Sequence, residues 1–185
     1  MCHTNIFDHS KYVKEYIKAG IPVFGFTDKK EKEFRTKDVQ FGGFYIIAFE
    51  LEHDVRCFGF FIHHKETGKF IFITDTGNIP YQFTDLSQII CEANFCENIV
   101  YDLMLNDKLN AAGQNRVESS HLSIQKTLEF LSETDLSKVQ NIVLVHLSSQ
   151  SSNAEQFKRK TELQTGKSVF IADKGVTIDF NLNPF

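Results

Sequence analysis

The residues best suited to chemistry are histidines and aspartates that lie where predicted helices and strands begin or end. Five of the seven histidines in the chain have such positions, together with two aspartates: His3, Asp8, His9, His53, Asp75, His121 and His146. Loops at strand ends can bring side chains together at one edge of a sheet. Such a set of imidazole and carboxylate groups, with no thiolate, would suit zinc, manganese or iron. Taken singly, a histidine beside a strand end is more often a hydrogen-bonded surface residue than a ligand, and Asp8 also fits a cap of the first helix.

Asp75 gives the strongest local signal. It follows the apolar run of residues 70–74 and precedes a turn that contains Gly77. A carboxylate buried without a partner costs roughly several kcal/mol. Asp75 is therefore expected to be exposed, paired with a cation or bound to a metal, and this stretch alone leaves a turn cap and a site residue equally open.

The elements that must position these residues predict a mixed α/β domain. A helix is predicted at residues 10–19, a strand at 21–26 and a solvated helix or loop at 27–38. The apolar residues 39–51, broken by Gly42-Gly43, and the runs at 57–62 and 70–74 predict an antiparallel meander of strands. A loop at 79–87, a strand at 89–93, a helix at 97–105 and a loop at 106–120 follow. Beyond them we predict a helix capped by Ser123, a strand at 141–147, a helix from Asn153 to Gly166 and a last strand pair at 169–172 and 176–180.

Length and composition fit one globular domain. The chain has 185 residues, of which 42% are hydrophobic, and its net charge of −4 gives no global case for binding nucleic acid or a membrane, although a local basic groove stays open. No apolar run approaches the ~20 residues that span a membrane, and the N-terminus lacks an apolar signal core, so we expect a cytoplasmic protein. The four cysteines form no CxxC pair, which favours reduced and mostly buried thiols. There is no GxGxxG or Walker motif for a nucleotide.

Six short motifs resemble those of the metallo-β-lactamase family, in particular its ribonuclease Z-like and small bacterial exonuclease-like branch. Residues 8–13 (DHSKYV) resemble the second half of the signature H-x-H-x-D-H, and residues 120–123 and 145–148 resemble paired HLS motifs. The other three motifs lie at residues 53–54, 74–77 and 92–94, in the order that the family shows. The resemblance implies an αββα sandwich with mixed sheets, formed as a single domain by residues 1–185.

The same resemblance implies a metal-dependent hydrolase of phosphodiester bonds, with nucleic acid or another phosphodiester as substrate and a metal-activated hydroxide as nucleophile. It assigns Asp8, His9, Asp75 and His146 to one metal site, and His53 with the shared Asp75 to the other. The metal would be zinc or manganese. His121 would donate a proton to the leaving group, and Asp8 would share the catalytic role.

The sequence departs from the family pattern at its beginning. Thr4 and Ile6 stand where the two leading histidines of the signature are expected, and His3 is one residue out of register. We therefore expect one well-formed metal site and one that is damaged, empty or completed by His3. Because Met1 falls inside the signature, we also expect the first N-terminal strands to be missing and a homodimer or a partner fragment to cover the exposed strand edges. Two alternatives stay open: an inactive remnant that acts only by association, and a plain α/β domain with incidental histidines.

Overall fold

A seven-stranded mixed sheet positions the rest of the molecule. The computed structural model describes residues 13–20, 39–54 and 56–183. The spatial order of the strands is their chain order: β1 (Val39–Phe41), β2 (Phe44–Leu51), β3 (Cys57–His64), β4 (Gly68–Ile73), β5 (Gln88–Glu92), β6 (Asn141–Val145) and β7 (Ser168–Ile171). Strands β1 to β4 form the predicted antiparallel meander, and β4 to β7 pair in parallel. The predicted mixed α/β class is confirmed, and all strands of the described residues belong to this one sheet.

Helices provide the crossovers that parallel strands require. Helix α1 (Val13–Lys18) precedes the sheet, and three helices connect β5 to β6: α2 (Glu97–Leu105), α3 (Ala111–Ser120) and α4 (Ile124–Glu133). Helix α5 (Ala154–Thr165) connects β6 to β7. The two predicted N-caps are confirmed, because Ser123 Oγ accepts from the amide of Lys126 at 3.2 Å and Asn153 Oδ1 accepts from the amide of Gln156 at 3.0 Å.

The core lies between one face of the parallel strands and the helices α4 and α5. Residues Ile71, Ile89, Ile142 and Val169 face one another across four strands and are nearly inaccessible to solvent. Buried side chains of the two helices pack on this row: Ile124, Phe130, Leu131 and Phe157. No residue of β5 or β6 is exposed, and strands covered on both faces read as continuous apolar runs, which is why the sequence predicts them.

Burial of the cysteines also agrees with the sequence prediction. Cys57, Cys91 and Cys96 are buried, and Cys2 lies outside the described residues. The predicted strand at 21–26 and the charged segment at 27–38 lie outside them as well. Within the described ranges, no helix has the length and apolar character that crossing a membrane requires.

Residues 106–120, predicted as a loop, contain α3, so that prediction is wrong. The helix is mostly polar and partly exposed, and it therefore lacks the apolar stripe on which the prediction depended. Its start is fixed instead by Asn110, whose side chain accepts from the amide of Gly113 at 2.8 Å. Good helix formers such as alanine, glutamine, arginine and glutamate then sustain it.

The prediction of a strand at 176–180 is also wrong, because this segment does not pair with β7. It runs toward the turn between β3 and β4 instead. The ring centroids of Phe180 and Phe70 lie 5.9 Å apart, and the amide of Leu182 donates to the carbonyl of Glu66 at 2.7 Å. The C-terminal segment is therefore attached at the turn between β3 and β4 rather than paired with β7.

Candidate metal centre

The sheet topology brings several strand ends to one edge. Strands β4, β5 and β6 are parallel, and β2 has the same direction because two antiparallel pairings separate it from β4. Asp75 follows β4, Glu92 is the last residue of β5, and His146 follows β6. His53 follows β2. The carboxyl edge of the sheet, where ligands commonly bind in α/β folds, therefore collects all four.

Asp75, Glu92, His121 and His146 form what we call the four-residue cluster. Each offers one nitrogen or oxygen atom, and these atoms all lie within 4.8 Å of one another. His121 reaches the cluster from the C-terminal end of α3. Asp75 is 4% and Glu92 0% exposed, whereas the imidazoles of His121 and His146 are 22% and 40% exposed. The carboxylates are thus buried and the imidazoles remain accessible.

Glu92 fixes both imidazoles. Its Oε1 lies 2.8 Å from Nδ1 of His121 and 2.7 Å from Nδ1 of His146, and its Oε2 accepts from the amide of Thr76 at 3.2 Å. An ionised carboxylate only accepts hydrogen bonds, so both Nδ1 atoms donate. A carboxylate holds Nδ1 of each ring here, as in the carboxylate–histidine–metal triads of metalloenzymes.

Two opposing effects set the ionisation of Glu92. Burial raises the pKa of its carboxyl group, but the hydrogen bonds from His121 and His146 and the charge on those rings lower it, and the resulting pKa is below the ordinary value. The group is therefore ionised at neutral pH. An ionised Glu92 is the acceptor that the two imidazoles require.

Two residues of the cluster have left-handed backbone. The φ angles are 58° at Asp75 and 59° at His146, and among the described non-glycine residues only Asp85 and Asp107 share this conformation. Each such residue costs about 1–3 kcal/mol and persists only where the surrounding structure imposes it. Backbone strain of this kind is concentrated at functional sites. Here it occurs at the two points where the chain leaves β4 and β6.

The loop after β4 is packed tightly against its neighbours. Thr76 Oγ1 donates to the carbonyl of Glu52 at 3.0 Å, and Nζ of Lys126 donates to the carbonyl of Gly77 at 2.7 Å. A Cβ atom at Gly77 would lie 2.3 Å from the carbonyl oxygen of Ser119, in the last turn of α3. The close approach requires glycine at this position, so the loop and α3 are fixed against each other.

The structure brings three of the predicted site residues, Asp75, His121 and His146, into one cluster. His53 lies beside this cluster: its ring centroid is 5.6 Å from that of His121, its Nδ1 donates to the carbonyl of Ser120 at 3.0 Å, and its Nε2 is 3.0 Å from Asp54. The predicted ligands Asp8 and His9 lie outside the described residues, as do His3, Thr4 and Ile6.

Glu92 is the cluster residue that the predicted ligand set lacks. The signal for it resembles the signal for Asp75, since an acid ends the apolar residues 89–91 just as Asp75 follows 70–74. The sequence does not show, however, that β5 lies between β4 and β6. That central position is what places Glu92 within reach of both histidines.

Solved structures with the same fold are known. YhfI from Bacillus subtilis, a metallo-β-lactamase fold protein, aligns with a TM-score of 0.55 and 16% identity over 89% of this chain and 60% of that protein. The chain has the metallo-β-lactamase fold. A diphosphatase of the PhnP family aligns with a TM-score of 0.55 and 14% identity over 93% of this chain and 54% of its own. An isothiocyanate hydrolase from Delia radicum gut bacteria aligns with a TM-score of 0.54 and 14% identity, over 81% of this chain and 59% of that protein.

These alignments confirm the fold that the motifs indicated. The chain spans between 54% and 60% of the length of these three proteins. The sequence itself matches no family model and no curated protein. The assignment to a nuclease-like branch stays a prediction.

The chemistry of the four-residue cluster fits a divalent cation. It offers two carboxylates and two imidazoles, which suit zinc and manganese. Zinc binds such donors at about 2.0–2.2 Å in a tetrahedral arrangement, so two of its donors lie about 3.3–3.6 Å apart. The spacing of up to 4.8 Å within the cluster is wider than this, so the donors would draw together around one ion.

Proposed function

We propose that the protein is a metal-dependent hydrolase that acts on phosphodiester or related ester bonds. The observation that carries this proposal is the convergence of Asp75, Glu92, His121 and His146 at the carboxyl edge of the sheet. A fold alone does not define an activity, so the proposal depends on the residues of the site and their chemistry. Neighbours of the same fold described as a diphosphatase and a hydrolase support hydrolytic chemistry.

Each residue of the cluster has a proposed role. Bound zinc or manganese supplies Lewis acidity toward a phosphoryl oxygen and makes water a nucleophile near neutral pH. Asp75 and His146, whose Oδ1 and Nδ1 atoms lie 3.4 Å apart, would hold the cation, while Glu92 keeps the two imidazoles oriented. Asp8, His9 and His53 remain proposed as further ligands, with Asp8 sharing the catalytic role.

His121 is the proposed proton donor to the leaving group. Its side chain is 22% exposed, and the contact of its Nδ1 with Glu92 leaves Nε2 for a substrate or for a cation. The two roles give different results in His121→Ala. If His121 is a proton donor, its loss slows hydrolysis of a phosphodiester with an alkoxide leaving group far more than that of bis(p-nitrophenyl) phosphate. The nitrophenolate of that substrate leaves without protonation. If His121 is a metal ligand, its loss slows hydrolysis of both substrates equally and lowers the affinity for the metal.

Hydrolysis of bis(p-nitrophenyl) phosphate by purified protein in the presence of Zn²⁺ or Mn²⁺ tests the proposal. We expect activity that a chelator abolishes and that Asp75→Asn lowers by at least about 10–100-fold, because the variant removes a charged donor from the cluster. Asp135→Asn is the matched control, since it makes the same change at an exposed carboxylate beyond α4. Absence of hydrolysis from protein that has bound metal would refute the proposal.

That negative result would favour the alternative raised by Thr4 and Ile6, a protein that acts only by association. Nucleic acid is the proposed substrate class, and pairing with a second copy or a partner fragment is the proposed mode of association. Analytical ultracentrifugation tests pairing with a second copy directly: a species of about twice the chain mass supports it, and a monomer at all concentrations contradicts it.

A further inference from the structure

We propose that Asn94 is a positioning residue that sets the conformation of His146, and with it the geometry of the metal centre. The inference rests on the proposed function, because it concerns how one ligand of the same site is placed. Asn94 is 8% exposed and lies two residues beyond Glu92, where the chain leaves β5. It belongs neither to the four-residue cluster nor to the predicted ligands.

Asn94 fastens the loop that carries His146 through two of its groups. Its Nδ2 donates to the carbonyl of His146 at 2.7 Å, and its own carbonyl accepts from the amide of Ser148 at 2.8 Å. One residue earlier, the amide of Ala93 donates to the carbonyl of Val145 at 3.1 Å. The loop is therefore held on both sides of His146.

The third polar group of Asn94 reaches the other histidine loop. Its backbone amide donates to the carbonyl of Leu122 at 2.8 Å, directly after His121. One residue thus connects both imidazole-bearing loops to the end of β5. Glu92, at that same strand end, is the acceptor for both imidazoles.

The side-chain bond has a specific consequence because His146 has a φ angle of 59°. A residue other than glycine leaves this region unless its neighbours prevent it. A carbonyl can only accept, so the amide nitrogen of Asn94, and not its amide oxygen, faces the carbonyl of His146. Replacing Asn94 with alanine or leucine therefore removes the hydrogen bond at His146 itself, whereas the backbone bonds of residue 94 to Leu122 and Ser148 are retained.

Two variants separate this role from general packing. Asn94→Ala removes the amide and its volume, and Asn94→Leu removes the amide but keeps most of the volume. Asn106→Ala is the matched control, because Nδ2 of Asn106 also donates to a backbone carbonyl, that of Asp102, at 2.7 Å, at the end of α2. Urea unfolding establishes that each variant is folded before the site is probed.

The first readout is the long-range ¹H–¹⁵N spectrum of the histidine side chains in metal-free protein. We expect the Asn94 variants to alter the resonances of His146 much more than those of His121, which general loosening would not do. The second readout is Zn²⁺ affinity by isothermal titration calorimetry. We expect a loss of about 10–100-fold in both Asn94 variants and no change in Asn106→Ala, as for other residues that orient metal ligands.

The outcomes also separate this inference from the proposed function. If wild-type protein binds no Zn²⁺ while the Asn94 variants still shift the His146 resonances, the proposed function fails and the positioning role stands. If wild-type protein binds Zn²⁺ and folded Asn94→Leu keeps both the His146 resonances and the affinity within about twofold, the positioning role is overturned and the proposed function stands. Equal shifts of both histidines would also overturn it.

Discussion

Replacing Glu92 with glutamine should weaken metal binding without unfolding the protein. The variant keeps the shape of the side chain but removes the charge that accepts from His121 and His146. If the amide oxygen of the new side chain faces the histidines, its NH₂ group faces the amide of Thr76, which donates to Oε2 at 3.2 Å in the wild type. The NH₂ group and the amide of Thr76 are both donors, so the buried amide of Thr76 loses its hydrogen-bond acceptor.

The magnitude follows from these contacts. Changing two charge-assisted hydrogen bonds into neutral ones costs about 2–3 kcal/mol, and an unsatisfied buried amide costs about 1–3 kcal/mol. Removing a buried charge also removes its desolvation cost, so the free energy of unfolding falls by less than this sum. Zn²⁺ affinity depends on ring orientation and should fall by about 10–100-fold, equivalent to about 1.4–2.8 kcal/mol.

Isothermal titration calorimetry with Zn²⁺, beside urea unfolding of the metal-free protein, measures both quantities. Glu162→Gln is the control, because it makes the same chemical change at a partly exposed residue of α5 that is 3.9 Å from Lys158. We expect the control to match the wild type in affinity. A folded Glu92→Gln protein whose Zn²⁺ affinity lies within about twofold of the wild type would refute the orienting role of Glu92.

Three further predictions follow from the packing and charges. Gly77→Ala should lower the free energy of unfolding by about 1–3 kcal/mol, because its Cβ would lie 2.3 Å from the carbonyl of Ser119; an unchanged urea midpoint would contradict the close approach. Burial raises the pKa of the Cys91 thiol to about 12, so iodoacetamide should label Cys91 only in denaturant. Rapid labelling of Cys91 in the folded protein, located by peptide mass spectrometry, would disprove its burial. The hydrogen bond and charge of Lys138 lower the pKa of Asp85 below 3.8, so the stability that this carboxylate contributes is present above that pH and lost as the pH falls. Asp85→Asn should therefore be less stable than the wild type at pH 6 by urea unfolding, and the difference should shrink near pH 3; a difference that stays constant would contradict the ion pair.

The sequence predicted those parts of the site that follow from strands with clear apolar patterns. Asp75 and His146 each follow such a run in the sequence, and parallel pairing of β4 and β6 with β5 brings them together. His121 was placed correctly before the helix capped by Ser123. These signals are local, because buried strands have apolar sequences and Asp75 and His146 follow them.

Other features depend on contacts that no local pattern shows. Helix α3 consists largely of polar residues, so its helical period was not visible in the sequence. The requirement for glycine at residue 77 arises only because α3 ends against that loop. The backbone conformation of His146 and its bond to Asn94 likewise depend on the order of strands in the sheet.

The most direct test of the metal centre is anomalous diffraction at the zinc edge from crystals grown with Zn²⁺. We expect an anomalous peak beside Asp75 and His146, with Glu92 still bonded to both imidazoles at Nδ1. We also expect the peak to disappear in Asp75→Asn. No peak at this edge of the sheet, or a peak that Asp75→Asn leaves unchanged, would contradict the central claim.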